Sequence, residues 1–219
     1  MTGTVGATGA AGAMDRTRRE GDFRVRPRTD DDLDTCVAIL AGIHRTDGYP
    51  VNWPAQPVPW VRCGPVETAL GAWVAELDGR IVGHVTLTRY REDDLAPLAW
   101  SEHSGAAPES AAMIGRLFVA PEARGHRAGV RLMAAATAEA RRLGLRPVLD
   151  VADSGRAAIA LYERLGWQRL STSEEQWGPV RVTVHSYAAP PEPESGPEPE
   201  KDRESGSASA PGAGAATAG

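Results

Sequence analysis

Between Phe23 and Ala188 the spacing of apolar positions changes period several times, and each change marks a predicted element. Phe23 to Arg26 alternates as a short strand, after which Asp30, Asp31 and Asp32 lead a helix with Leu33, Val37, Leu40 and Ile43 on one face. Trp73 to Leu77 and Ile81 to Thr88 form two strands joined by Asp78-Gly79-Arg80, a glycine-containing hairpin connection. Met113 to Val119 is the next strand. A second helix carries Leu132, Met133, Ala136, Ala140 and Leu143 on one side and stops at Gly144, where a C-terminal cap belongs. Val148, Leu149 and Val151 make a short buried strand, Ala158, Leu161, Tyr162 and Leu165 recur at helical spacing, and Trp167 to Leu170 and Val180 to Tyr187 supply two last strands. This order predicts an α/β (α+β) fold, a mixed sheet with helices on both faces.

The passage from Val119 into the second long helix carries the chemistry. It reads Val119-Ala120-Pro121-Glu122-Ala123-Arg124-Gly125-His126-Arg127-Ala128-Gly129-Val130-Arg131. The first N–H groups of a helix lack intrahelical acceptors and point, with the positive end of the helix dipole, at any anion in front of them. Arg124, Arg127 and Arg131 are expected to add full charge at the same spot.

Composition narrows the setting. A chain of 219 residues with 42% hydrophobic content suits one domain with length left over at its ends. The expected division is residues 1–21 disordered, 22–189 folded and 190–219 a Pro-, Glu-, Gly- and Ala-rich solvated tail, with Met14 a candidate alternative start. Net charge of -5 argues against nucleic-acid binding, and the apolar runs are too short for a membrane span. Cys36 and Cys63 are too few for a disulfide scaffold, no metal-site spacing is present, and a reduced, cytoplasmic location is expected.

Val119-x-Pro121-x-x-Arg124-Gly125-x-x-x-Gly129-x-x-Leu132-Met133, followed by Ala158-x-x-Leu161-Tyr162-Glu163-x-Leu165-Gly166-Trp167, resembles the GNAT superfamily of acetyl-CoA-dependent N-acetyltransferases. The resemblance implies a largely antiparallel central sheet of six to seven strands, with acetyl-CoA as co-substrate. It implies that the amides of Gly125, His126, Arg127, Ala128, Gly129 and Val130, beside Arg124, cradle a pyrophosphate. The pantetheine arm would lie along the preceding strand at Leu117, Phe118 and Val119. Arg127 stands where the loop usually has a second glycine, and Gly155 where an Asn commonly precedes the tyrosine-bearing helix; Ser154 or Asp153 is the expected substitute contact.

Acetyl transfer to an amine needs a proton for the leaving thiolate and a base for the ammonium. Tyr162 is assigned as general acid, because a phenol with an ordinary pKa of about 10 is protonated at neutral pH; the competing role is an aromatic filling the core side of its helix. Candidates for the base are His84, Glu102, His103 and Asp150. His84 is attractive because imidazole titrates near neutrality, although a lone strand histidine is more often structural.

The acceptor is expected to be a small-molecule or peptide amine, met by the segment from His44 to Pro54. There Asp47 would pair with an ammonium and Tyr49 or Trp53 would face it through cation–π contact, or the aromatics simply cover the sheet edge. A nucleophilic Cys63 beside Arg62 is the weaker alternative to direct transfer. The rival from another class is a catalytically silent acyl-CoA-binding or regulatory module, motivated by Arg127 and Gly155. A homodimer is left open.

Overall fold

The computed structural model describes residues 22–63 and 66–191. The N-terminal segment 1–21 with Met14, and the tail beyond Pro191, lie outside the described residues. Among the described residues seven strands form one sheet in the order β1-β2-β3-β4-β5-β7-β6. They are β1 (Phe23–Pro27), β2 (Ala69–Leu77), β3 (Arg80–Arg89), β4 (Ala111–Val119), β5 (Arg146–Ala152), β6 (Gln168–Trp177) and β7 (Val180–Ala188). All neighbours are antiparallel except β4 and β5, which are joined through a helix as a parallel pair requires.

Among the described residues five α-helices cover the sheet: α1 (Leu33–Asp47), α2 (Pro57–Arg62), α3 (Leu95–Ser104), α4 (Ala128–Arg142) and α5 (Arg156–Arg164). On one face α4 crosses β2, β3 and β4, and its Leu132, Met133, Ala136 and Ala140 are buried with Ile114 and Leu149. On the other face Leu40 and Ile43 of α1 and Val61 of α2 pack with Val74 and Phe118, and α3 lies over β5 to β7. Asp32 anchors the start of α1, since its carboxylate takes the Thr29 N–H at 2.7 Å and the Arg26 fork at 2.7 and 2.8 Å.

Two features of β4 bear on the site. It pairs with β5 only at Ala111↔Arg146, Ala112↔Pro147 and Met113↔Val148, although β4 runs on to Val119 and β5 to Ala152. Beyond Met113 the two strands part, while the other edge of β4 stays bonded to β3 as far as Gly83↔Val119. β4 is also bulged: His84 faces Phe118 and Thr86 faces Gly115, so Arg116 and Leu117 stand opposite Val85 alone, with Arg116 at φ 52°.

Several expectations are corrected. Helices α2 and α3 were not anticipated: α2 is six residues containing two prolines, and Leu95 to Trp100 shows no clean apolar period. Strand β6 extends to Trp177, past the expected Leu170, in a stretch of Ser, Thr and Glu. Leu143 sits past the end of α4 and is exposed, although Gly144 does take the left-handed conformation of a cap at φ 71°.

Candidate active site

Where β4 and β5 part, a cavity of about 1120 Å³ opens. Its wall includes Ile114 to Val119 of β4 and Asp150 to Ala152 of β5. It reaches the α4 and α5 face at Ala128, Gly129, Leu161 and Tyr162, and the α1 and α2 face at Ile43, Tyr49 and Trp60.

At one end lies the start of α4. After Pro121–Ala123, a single 3-10 turn, the backbone enters the left-handed region at Gly125 (φ 84°) and again at Arg127 (φ 61°). The first bond of the α4 ladder runs from Arg131 N–H to Arg127 O at 3.0 Å, so the amides of Ala128, Gly129 and Val130 precede it. A Cβ on Gly129 would lie 3.1 Å from Leu161 Cδ2, so this glycine lets α4 approach α5.

The charges there are not those expected throughout. Arg124 and Arg127 line the cavity, joined by Arg156 and Arg164 from α5. Arg131 turns away, stacking 4.6 Å over the Phe23 ring and donating to Phe23 O at 3.2 Å. His126 is exposed and forms no part of the wall. Gly155 lines the cavity, where a Cβ would meet Val151 Cγ2 at 3.0 Å and Ala152 O at 3.1 Å; a larger residue would need the backbone to shift. Ser154 lines the wall, whereas Asp153 faces His185 Nε2 at 3.3 Å and Arg156 at 3.6 Å.

Tyr162 is buried among Trp167 and Tyr187, with ring centroids 6.0 and 6.1 Å away. Among the described residues its hydroxyl has no hydrogen-bond partner, and the residue borders the cavity. Burial, reinforced by nearby Tyr49, pushes its pKa above the ordinary phenol range.

His84 is placed elsewhere. It is fully buried on β3, stacked on Phe118 at 5.1 Å and absent from the cavity wall. Its Nδ1 lies 3.0 Å from Arg116 O and its Nε2 lies 3.2 Å from Arg28 Nη1. A carbonyl only accepts and a guanidinium only donates, so the ring is the neutral tautomer with its proton on Nδ1. Burial, with the charges of Arg28 and Arg116, lowers its pKa to about 4. Phe118 therefore presents its ring to His84 and the α1–α2 face, and Leu117 and Val119 pack toward α4.

Glu102 and His103 are exposed on α3, away from the cavity. Asp150 borders it. Its carboxylate accepts from Ser186 Oγ at 2.6 Å and Ala96 N–H at 3.1 Å, and burial raises its pKa to about 6 against those two bonds. Asp47 lines the wall but is engaged by Arg124, which lowers its pKa. Tyr49 borders the cavity, edge-on to Trp60 at 6.2 Å. Trp53 lies outside it, 40% exposed and tilted against His44 at 5.3 Å. Cys63 is buried in the left-handed cap of α2 and stands outside the wall.

Trp60, Asp94, Arg116 and Trp177 also line the cavity and were not anticipated. Each is placed by an unforeseen element or irregularity: α2, the entry to α3, the β4 bulge and the end of the extended β6.

Among the described residues no helix is long and apolar enough to cross a membrane, and no group of three or more His, Cys, Asp or Glu is arranged to hold a metal ion. A model of the Acetyltransferase (GNAT) family matches residues 44–167. The fold is similar to an N-acetyltransferase from Staphylococcus aureus Mu50, with TM-score 0.60 and 17% identity over 76% of this chain and 97% of that one. It is similar to a ribosomal-protein-alanine N-acetyltransferase from Brucella melitensis, with TM-score 0.57 and 20% identity over 75% and 98% of the two chains. The yncA structure from Salmonella typhimurium, with its cofactor acetyl-CoA, aligns at TM-score 0.55 and 17% identity over 81% and 98%. No curated protein sequence matches the chain.

Proposed function

The chain belongs to the GNAT acetyltransferase family, whose co-substrate is acetyl-CoA, and from that premise we propose that residues 22–189 transfer an acetyl group directly to a primary amine in a ternary complex. One observation carries the proposal: a cavity connects the amides at the start of α4 and the Tyr162 hydroxyl, neither bonded among the described residues, with the raised carboxylate of Asp150.

The chain's groups fit the proposed ligand. The α4 amides and Arg124 and Arg127 would hold a pyrophosphate, with Arg156 and Arg164 adding charge, because helix N-termini and guanidinium groups both favour anions. The backbone edge of β4 past Met113, left without a strand partner on its β5 side, offers Leu117, Phe118 and Val119 to an extended arm. Bound there, acetyl-CoA supplies the activated acetyl thioester.

Tyr162 donates its proton to the leaving thiolate; burial keeps the phenol protonated throughout the working pH range. Asp150, rather than the buried His84, accepts the ammonium proton. With a pKa of about 6 it is ionised at neutral pH, and its two oxygens retain lone pairs beyond the bonds from Ser186 and Ala96. The acceptor is a small-molecule or peptide amine entering from the Tyr49 and Trp60 side. The buried, unpaired thiols of Cys36 and Cys63 support a cytoplasmic setting.

The silent-module alternative rested on Arg127 and Gly155. Arg127 adopts the left-handed backbone a glycine would, and Gly155 sits where a side chain has little room, so neither favours loss of activity. The test is to titrate the purified full chain with acetyl-CoA and follow free thiol across an amine panel. Amine-dependent thiol release is expected. Binding without release from any acceptor would instead establish the silent module, and absence of binding would overturn both.

A further inference from the structure

The α1–α3 face of the cavity carries a charge pattern that fits one class of acceptor. Arg116 borders the cavity at the β4 bulge, just past the last rung shared with β5. Its guanidinium lies 4.0 Å over the Trp60 ring, and its Nε donates to Trp60 O at 3.3 Å. Those two contacts fix the plane of the group and use only one of its five N–H donors. Among the described residues no carboxylate lies within ion-pair distance of it; Asp93, Asp94 and Asp150 line the same cavity, and the charge of Arg116 reaches Asp94 without a direct contact. The other cations of the wall stand apart from it: Arg124 is engaged by Asp47, Arg127 caps α4, and Arg156 and Arg164 belong to α5.

Arg116 is also held at a cost. A left-handed backbone is disfavoured for an L-residue, and here the conformation is fixed by the buried His84 Nδ1–H bonding to Arg116 O at 3.0 Å. His84 is held in turn by Arg28, which also donates to Val61 O at 3.0 Å. Strain maintained by a buried relay at a cavity wall is the pattern of a preorganised binding group. Of the cavity carboxylates, Asp93 and Asp94 precede α3 and Asp94 feels the charge of Arg116, whereas Asp150 is on the other strand, two residues after Val148 on β5, and both Val148 and Asp150 look to the α3 side.

We infer that the acceptor is an amino acid, an amine carrying its own carboxylate, whose carboxylate is held in the fork of Arg116 while its ammonium faces Asp150. A guanidinium with free N–H groups recognises a carboxylate by paired charge-assisted bonds, and it repels an acceptor that brings only positive charge. Polyamines and amines without an acid group are thereby disfavoured. The inference rests on the acetyl-transfer reading for the direction in which the amine points, but the recognition of carboxylate can be measured without turnover.

The experiment uses the twenty L-amino acids, their C-terminal amides and the corresponding amines lacking the carboxyl group. For each, kcat/KM is followed by thiol release, and binding to the full chain saturated with coenzyme A is measured by calorimetry. At least one amino acid should exceed its own amide by roughly ten- to a hundredfold, the worth of a charge-assisted pair. Arg116→Gln should bring that ratio close to one, and Arg116→Lys should restore part of it. Amides equal to acids throughout would overturn the inference and leave acetyl transfer standing. Equal loss for acid and amide in Arg116→Gln would make Arg116 a structural strut and also overturn it. Carboxylate-dependent binding without thiol release would support the inference and overturn the transfer. Should Arg116→Gln not fold, the wild-type ratio and the Lys variant decide.

Discussion

Arg127→Gly separates the two things this residue does, because its backbone and its side chain push in opposite directions. The residue sits at φ 61°, ψ 15° as the N-cap of α4. A left-handed L-residue costs about 1–2 kcal/mol, and a glycine surrenders about 0.5–1 kcal/mol more chain entropy on folding. The difference predicts a net stabilisation of roughly 0.5–1 kcal/mol, or about 1–4 °C in Tm for a domain this size. Nothing offsets it in the free protein, since the side chain is exposed and in no ion pair among the described residues. Acetyl-CoA affinity should move the other way, falling about two- to fivefold with the loss of one solvent-facing charge beside a phosphate, and less at high salt. Arg127→Ala is the control: it loses the charge and keeps the strain. Thermal melts and calorimetric titration at two salt concentrations measure both. A glycine variant that melts below the alanine variant, or binds as tightly as wild type, would refute the reasoning.

The remaining predictions concern the reacting groups and their support. Tyr162→Phe should lower kcat by about a hundredfold or more with acetyl-CoA binding within about twofold; unchanged kcat would remove Tyr162 as the acid. Since Asp150 must be ionised to act and its pKa is raised to about 6, kcat/KM should climb as pH rises through about 6 and be lost below it. Asp150→Asn should remove that limb, and a limb that persists would place the base elsewhere. His84→Ala should destabilise the fold by about 2–4 kcal/mol, through a cavity and an unpaired Arg28 donor. It should also keep the pH limb, whose disappearance would restore His84 as the base.

What could be read from sequence was local. Leu33, Val37, Leu40 and Ile43 repeat with the period of α1, the hairpin at Asp78-Gly79-Arg80 shows its glycine, and the turn before α4 announces its free amides in Arg124-Gly125. The cavity depends on strand pairing that no residue advertises. That β4 and β5 share three rungs and then part is a relation between Met113 and Val148, far apart in the chain. The bulge at Arg116 is hidden for the same reason, because Val119 and Phe118 look like an ordinary alternation until their partners on β3 are known. Side-chain direction was equally out of reach. Arg131 carries the same charge as Arg127, yet one turn along α4 it already faces Phe23. Trp53 and Trp60 are equivalent in the sequence, and only the six-residue helix α2 puts the second on the wall.

The fate of His84 shows how the environment reverses a role that residue type suggests. A base must be able to take a proton at working pH, and the surroundings of His84 oppose that: burial first, and the charges of Arg28 and Arg116 after it, hold its pKa near 4 against the help of the Arg116 carbonyl. Protonating Nε2 would also turn a donor toward Arg28, which has only donors to offer. Those obstacles suit a support. A ring locked as the Nδ1–H tautomer across neutral pH donates without interruption to Arg116 O, and that bond lies at the left-handed residue where β4 must bulge. Between His84 Nδ1 and the Trp60 ring, Arg116 is fixed by its carbonyl at one end and its guanidinium at the other. In the proposed reaction the histidine bears on turnover through the position of Arg116, and the effect of its loss should follow the acceptor's KM ahead of the proton transfers proposed for Tyr162 and Asp150.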